Sequence, residues 1–187
     1  RSAEARAERE VVLFVDTFTN YFEPENAHAA LNVLEAAGYR VIVARASDSR
    51  RPLCCGRTFL ATGMVERARA EARRMVEALA PYAARGVAIV GLEPSCLFTF
   101  RDELSALGIQ GSESITARAR LFEEFIAEEA DAGRFNPALR PIDAKRALLH
   151  GHCHQKAFGA MGAVQRVLAM VPQLQVQTIE SSCCGMA

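Results

Sequence analysis

Four of the six cysteines sit in two vicinal pairs, each followed by glycine: Cys54-Cys55-Gly56 and Cys183-Cys184-Gly185. At this cysteine frequency chance would place a single such triplet in roughly one chain per hundred of this length, so two copies call for a cause. Adjacent cysteines pair with each other only through a small strained ring, and no secretory signal points to an oxidising compartment, so stabilising disulfides explain them poorly. Clustered thiolates are soft ligands suited to zinc or to iron–sulfur clusters. Cys96, in Glu93-Pro94-Ser95-Cys96, and Cys153, flanked by His150, His152 and His154, extend the donor set. The bland alternatives are that free cysteine is among the most buried residue types, that Pro-Ser-Cys after a strand is an ordinary helix start, and that strand-end histidines more often serve structure than metal.

The elements that must position these residues follow from the apolar pattern. Val11 to Asp16 is a short branched run expected of a strand covered on both faces. Ala27, Ala30, Leu31, Leu34 and Ala37 recur at helical spacing and Gly38 follows, then Tyr39 to Ala44 reads as a second strand. Met64, Ala68, Ala72, Met75, Val76 and Leu79 predict a helix closed by Pro81, and Val87 to Leu92 a third strand. Ile115 to Ala132 reads as one charged amphipathic helix ending at Gly133, and Asn136 to Pro141 as a linker. The order then restarts, with Ala147 to His150 as a strand, Phe158 to Val171 as a helix stopped by Pro172, and Leu174 to Ile179 as a strand.

This alternation predicts an α/β class built from two pseudo-repeated Rossmann-like βαβ halves with parallel sheets. Residues 1–10 read as the tail of something upstream, 11–140 as the first half, and 141–187 as a second half that is truncated at its C-terminus, with an exposed sheet edge prone to association. Each vicinal pair follows the second strand of its half, and Thr17 occupies the place of Cys153. In an open parallel sheet the loops at the carboxyl ends of the strands gather on one edge, so Thr17, Cys54, Cys55 and Cys96 should converge, and so should Cys153, Cys183 and Cys184. Alternation along an extended segment would put the three histidines on one side and Cys153 on the other.

Composition excludes other classes. With 22 basic and 22 acidic side chains the net charge is zero, which gives no field to attract nucleic acid. The longest apolar runs are far shorter than the roughly 20 residues that a membrane helix needs. The skew to arginine and alanine fits GC-rich codons better than a binding surface.

The segments LCCGRTFLATG and VGLEPSC, then HGHCHQKAFGAMGAVQRVL and ESSCCGMA, resemble the cysteine-rich CCG domain shared by heterodisulfide reductase subunits and by iron–sulfur subunits of glycolate and glycerol-3-phosphate dehydrogenases. Together with FVDTFTNYFEPENAHAAL, they are most similar to the C-terminal region of large fusion proteins. In these an FAD-linked D-2-hydroxyacid oxidase domain precedes a ferredoxin-like [4Fe–4S] segment. The resemblance covers residues 10 to 187.

In the heterodisulfide reductase version, each half supplies an early Cys, the vicinal pair and a later CxxC to a non-cubane [4Fe–4S] cluster. Carried over, the first half offers Cys54, Cys55 and Cys96. Thr17 replaces its early Cys, and Glu93 and Thr99 stand where a CxxC needs a second thiol. The second half offers Cys153, Cys183 and Cys184 and is the stronger metal candidate. The resemblance implies a cytoplasmic electron-transfer module, peripheral at the inner membrane, passing electrons from an FAD domain elsewhere to a quinone or cytochrome. The residues given hold no FAD-binding segment, so on this reading they catalyse nothing alone. A zinc or metal-free module joining subunits, and thiol–disulfide chemistry at the vicinal pairs, are the alternatives.

Overall fold

The computed structural model describes residues 9–47 and 51–181. Its first strand, β1 (Glu10–Phe14), carries Val11, Val12, Leu13 and Phe14, each at most 1% exposed. A side chain of this kind contributes about 1.5–3 kcal/mol when it leaves water completely, so β1 is the anchor of the surrounding unit. After α1 (Thr17–Tyr21) and α2 (Pro24–Ala36), β2 (Arg40–Val43) pairs with β1 in parallel, Leu13 opposite Val43. The chain then crosses over through α3 (Arg57–Ala61) and α4 (Val65–Ala84) to β3 (Ala88–Gly91), which lies on the other side of β1 with Phe14 opposite Gly91. The elements α5 (Pro94–Arg101), α6 (Glu103–Ala106) and α7 (Ser112–Arg118) lead to β4 (Ala119–Leu121), parallel to β3. Strand order among the described residues is β2-β1-β3-β4. The core runs from this sheet into α5, where the rings of Phe14 and Phe100 meet edge to face with centroids 4.8 Å apart.

Beyond β4, α8 (Phe122–Asp131) ends before residues 134–145, which hold neither helix nor strand. Next come β5 (Arg146–Leu149), α9 (Cys153–Ala157), α10 (Met161–Ala169) and β6 (Gln175–Thr178). β5 and β6 pair in parallel, Ala147 opposite Val176. The chain thus forms two compact units, Arg1–Phe122 and Glu123–Ala187. Both are α/β with parallel strands, and each contains a strand, a five-residue helix, a longer helix and a second parallel strand in that order, which in the second unit follow α8. No helix among the described residues is long and apolar enough to cross a membrane.

Three expectations from the apolar pattern need correction. Pro81 does not close α4. A proline forfeits one backbone donor but its φ suits a helix, so α4 runs on to Ala84. It closes where the Gly86 and Val87 N–H groups donate to the Ala83 and Tyr82 carbonyls. The stretch from Ile115 to Ala132 is not one helix. Ala119 is extended (φ −72°, ψ 125°) and pairs with Ile89, which breaks the stretch into α7, β4 and α8. The ladder and the full burial of Ala119 and Leu121 override local helix propensity there. Finally, helix begins at Cys153 and not at Phe158, because His152 provides a cap, and the chain breaks at Gly159 and Ala160 before α10.

Candidate functional site

The carboxyl ends of β1, β2 and β3 share one edge of the sheet, and each delivers part of the site. After β1, Asp16 is 1% exposed and accepts three hydrogen bonds at the start of α1. Its Oδ1 accepts from the backbone N–H of Phe18 (2.8 Å) and Thr19 (3.0 Å), and its Oδ2 from the Thr19 hydroxyl (2.6 Å). These bonds satisfy N–H groups that a helix start leaves unpaired and fix Thr17 as the first helical residue. The Thr17 hydroxyl hydrogen-bonds the Cys54 thiol.

After β2, Leu53 is buried and the vicinal pair follows, with Cys54 half-buried and Cys55 4% exposed. Gly56 adopts φ +81° and its N–H donates to Cys54 Sγ at 3.5 Å. A Cβ at Gly56 would stand 3.2 Å from the Ala68 carbonyl oxygen and 3.4 Å from Glu71 Cβ, so glycine meets both a left-handed backbone and a close approach to α4. After β3, Glu93 caps α5, its Oε2 accepting from the Cys96 N–H at 2.6 Å. Gly91 lets α5 press on the sheet, since a Cβ there would come within 2.8 Å of Leu97 Cδ1. Cys96 is thereby brought to Cys55, and the thiols of Cys54, Cys55 and Cys96 form a hydrogen-bonded chain. The expected convergence of Cys54, Cys55 and Cys96 on Thr17 is therefore present. A cleft of about 330 Å³ lined by Phe18, Thr19, Phe22, Glu23, Leu92 and Glu93 opens between the ends of β1 and β3. That is where strand order reverses, the usual place for a ligand in such sheets.

The electrostatics of the three thiols favour protons. The hydrogen bond from Cys55, then burial, holds Cys54 far above its ordinary value of 9.0. For Cys55 the hydrogen bond with Cys54 favours the thiolate. The bond to Cys96, burial and charge repulsion from Cys96 outweigh it, and the net displacement is strongly upward. Cys96 gains from its bond with Cys55 but is also raised overall, by burial and by the Glu93 and Asp16 carboxylates. Like charges and low dielectric both oppose thiolate formation.

In the second unit, Cys153 is the first residue of α9. His152 caps that helix, its Nδ1 accepting from the His154 N–H at 3.1 Å while Gln155 Oε1 accepts from the His152 N–H at 3.2 Å. Because α9 starts here, the expected alternation of histidines about Cys153 does not hold. His152 and His154 instead stack with centroids 5.3 Å apart, and His150 Nδ1 lies 3.0 Å from Ser181 Oγ. Lys156 Nζ donates to the Ser181 carbonyl at 2.7 Å, so the chain after β6 is fastened to the helix that Cys153 begins. Cys183 and Cys184 lie outside the described residues.

The donor set is soft but incomplete. The first unit offers three thiols with the Thr17 hydroxyl in the fourth place, and the second offers Cys153. Among the described residues no group of three His, Cys, Asp or Glu side chains is arranged to hold a metal ion. Reading the sequence alone overlooked Asp16, Glu71 and Arg74. An aspartate just before a helix was legible as a cap. Glu71, one helical turn from Ala68 and from Met75, stood out as a charge on an apolar face.

Residues 13–101 match the family model described as a cysteine-rich domain, CCG. Over those residues the chain is similar to cysteine-rich CCG domains. The match runs from the end of β1 through α5, and takes in Thr17, the vicinal pair and Cys96. The chain is 25% identical over 185 residues to one of the subunits of the anaerobic glycerol-3-phosphate dehydrogenase of Escherichia coli, covering 98% of this chain and 45% of that protein. A D-2-hydroxyglutarate dehydrogenase of Pseudomonas putida is 29% identical over 188 residues, covering 98% of this chain and 17% of that protein. The chain therefore spans less than half the length of these relatives. No solved structure matches.

Proposed function

We propose that this chain is the cysteine-rich electron-transfer part of an FAD-linked D-2-hydroxyacid dehydrogenase. The observation that carries the reading is the assembly of Cys54 and Cys55, from the loop after β2, with Cys96, from the start of α5 after β3, on one sheet edge, in a chain whose second half repeats the vicinal pair. Similarity to two dehydrogenases supports it. The redox centre is an iron–sulfur cluster with Cys153, Cys183 and Cys184 as principal ligands. The three-thiol site of the first half lacks a fourth sulfur at Thr17. Flavin and ferredoxin-like domains are the upstream partners, and a quinone or cytochrome at the cytoplasmic side of the membrane is the acceptor.

Full-length protein purified anaerobically should contain iron with matching acid-labile sulfide and show a paramagnetic signal on reduction with its hydroxyacid. Iron-free protein with full turnover from flavin to acceptor contradicts the proposal. The hydroxyl of Thr17 favours a second reading, in which the cluster has been lost and the domain joins subunits, with or without zinc on Cys153, Cys183, Cys184 and one histidine. Stoichiometric zinc without sulfide, and no spectroscopic change on reduction, supports that reading.

A further inference from the structure

The loop that carries the vicinal pair runs from Arg51 to Gly56 with no strand or helix of its own, yet Cys55 must keep its sulfur against Cys96. What fastens it is a short stretch of α4. Glu71 is 3% exposed on a face otherwise made of Ala68, Ala72, Met75 and Leu79. Arg51 pairs with it through both guanidinium nitrogens, Nη1 to Oε2 at 2.8 Å, and Arg74 Nη1 lies 3.2 Å from Oε2. Arg74 also donates to the loop backbone, Nη2 to the Arg51 carbonyl at 2.8 Å and Nη1 to the Pro52 carbonyl at 3.3 Å. On the far side of the pair, Gly56 packs on Ala68 and on the β-carbon of the same Glu71. Both ends of the Cys54–Cys55 segment are thus bound to the turns between Ala68 and Arg74.

We propose that Glu71 and Arg74 are positioning residues that hold Cys54 and Cys55 against Cys96. A carboxylate removed from water is costly, and an apolar residue on that helix face would pack at least as well. What an apolar residue cannot do is orient Arg74. The carbonyls of Arg51 and Pro52 have no ladder to pair with, and the planar guanidinium meets both at once while Glu71 neutralises and aims it. The inference concerns where the sulfurs stand, and it holds whichever centre they serve.

Buried thiols react with an alkylating agent only through local opening, so their rates report how firmly the loop is held. In full-length protein, iodoacetamide labelling followed by peptide mass spectrometry resolves Cys54, Cys55 and Cys153 separately. Glu71→Gln keeps the side chain's size and removes its charge. It should raise labelling of Cys54 and Cys55 by about ten-fold or more and leave Cys153 within about two-fold. Arg74→Lys keeps the charge but loses the two-carbonyl reach, and should raise both by about three-fold. It decides the matter should Glu71→Gln fail to fold. Val76→Ala, on the same helix but away from the loop, serves as the control for general loosening. Unchanged labelling in the folded Glu71→Gln and Arg74→Lys variants overturns the proposal, as does equal acceleration by Val76→Ala.

Discussion

The strand, loop and short helix from Glu10 to Tyr21 and those from Arg146 to Ala157 follow one plan with opposite burial. β1 is paired on both sides and its four apolar residues are at most 1% exposed, whereas β5 pairs with β6 alone among the described residues and leaves Leu148 61% exposed. The helix that follows is capped in both, but Asp16 does it from a buried position with three accepted hydrogen bonds, and His152 does it from a half-buried one with a single accepted bond while Gln155 accepts from the His152 N–H. At the first helical position stands Thr17 in one and Cys153 in the other. A repeated unit has been specialised. One copy holds the packed core and three thiols, Cys54, Cys55 and Cys96, and the other, less covered, keeps a thiol at the helix start.

The contrast can be broken most forcefully in the strands. Leu13→Ala should destabilise the first unit by about 3 kcal/mol through lost transfer energy and a residual cavity, while Leu148→Ala should cost less than about 0.5 kcal/mol. Denaturant unfolding followed by a probe in each unit reads both, and equal effects would show that the second strand is as deeply packed as the first. The helix caps come next. Asp16→Ala strands buried donors and should cost about 2 kcal/mol, against about 0.5–1 kcal/mol for His152→Ala, measured in the same way.

A pH series separates the halves more gently. The thiols of Cys54, Cys55 and Cys96 are raised in the folded state above their ordinary 9.0, so above that pH the unfolded chain releases protons that the folded chain retains. Their contribution is fully present below about pH 9 and is lost as pH rises beyond it, so metal-free protein should lose stability in that range. Alkylation of Cys54 should keep accelerating past the point where a free thiol levels off. A plateau near pH 9 would show that these sulfurs do not share a proton-holding environment.

Much of this was legible in the residues. The alternation of branched runs with amphipathic segments, and two CCG triplets at matching points, revealed the repeat, the parallel sheets and the convergence of Cys54, Cys55 and Cys96. β4 was hidden because Ala119-Arg120-Leu121 carries no pattern of its own and is a strand only by virtue of pairing with β3. α9 was hidden because histidine is a rare cap, and its role depends on where Nδ1 points. Glu71 was visible as an oddity on the apolar face of α4, yet only the folded chain brings Arg51 and Arg74 to it.

The central claim is that the second half holds the redox centre and the first half does not complete one. Iron and acid-labile sulfide in anaerobically purified full-length protein, compared among the parent, Cys153→Ser and Cys54→Ser, test it most directly. The account predicts that Cys153→Ser loses one cluster's iron and sulfide together, while Cys54→Ser retains them. Parent protein whose iron and sulfide are unchanged by Cys153→Ser, or are lost with Cys54→Ser instead, would contradict it.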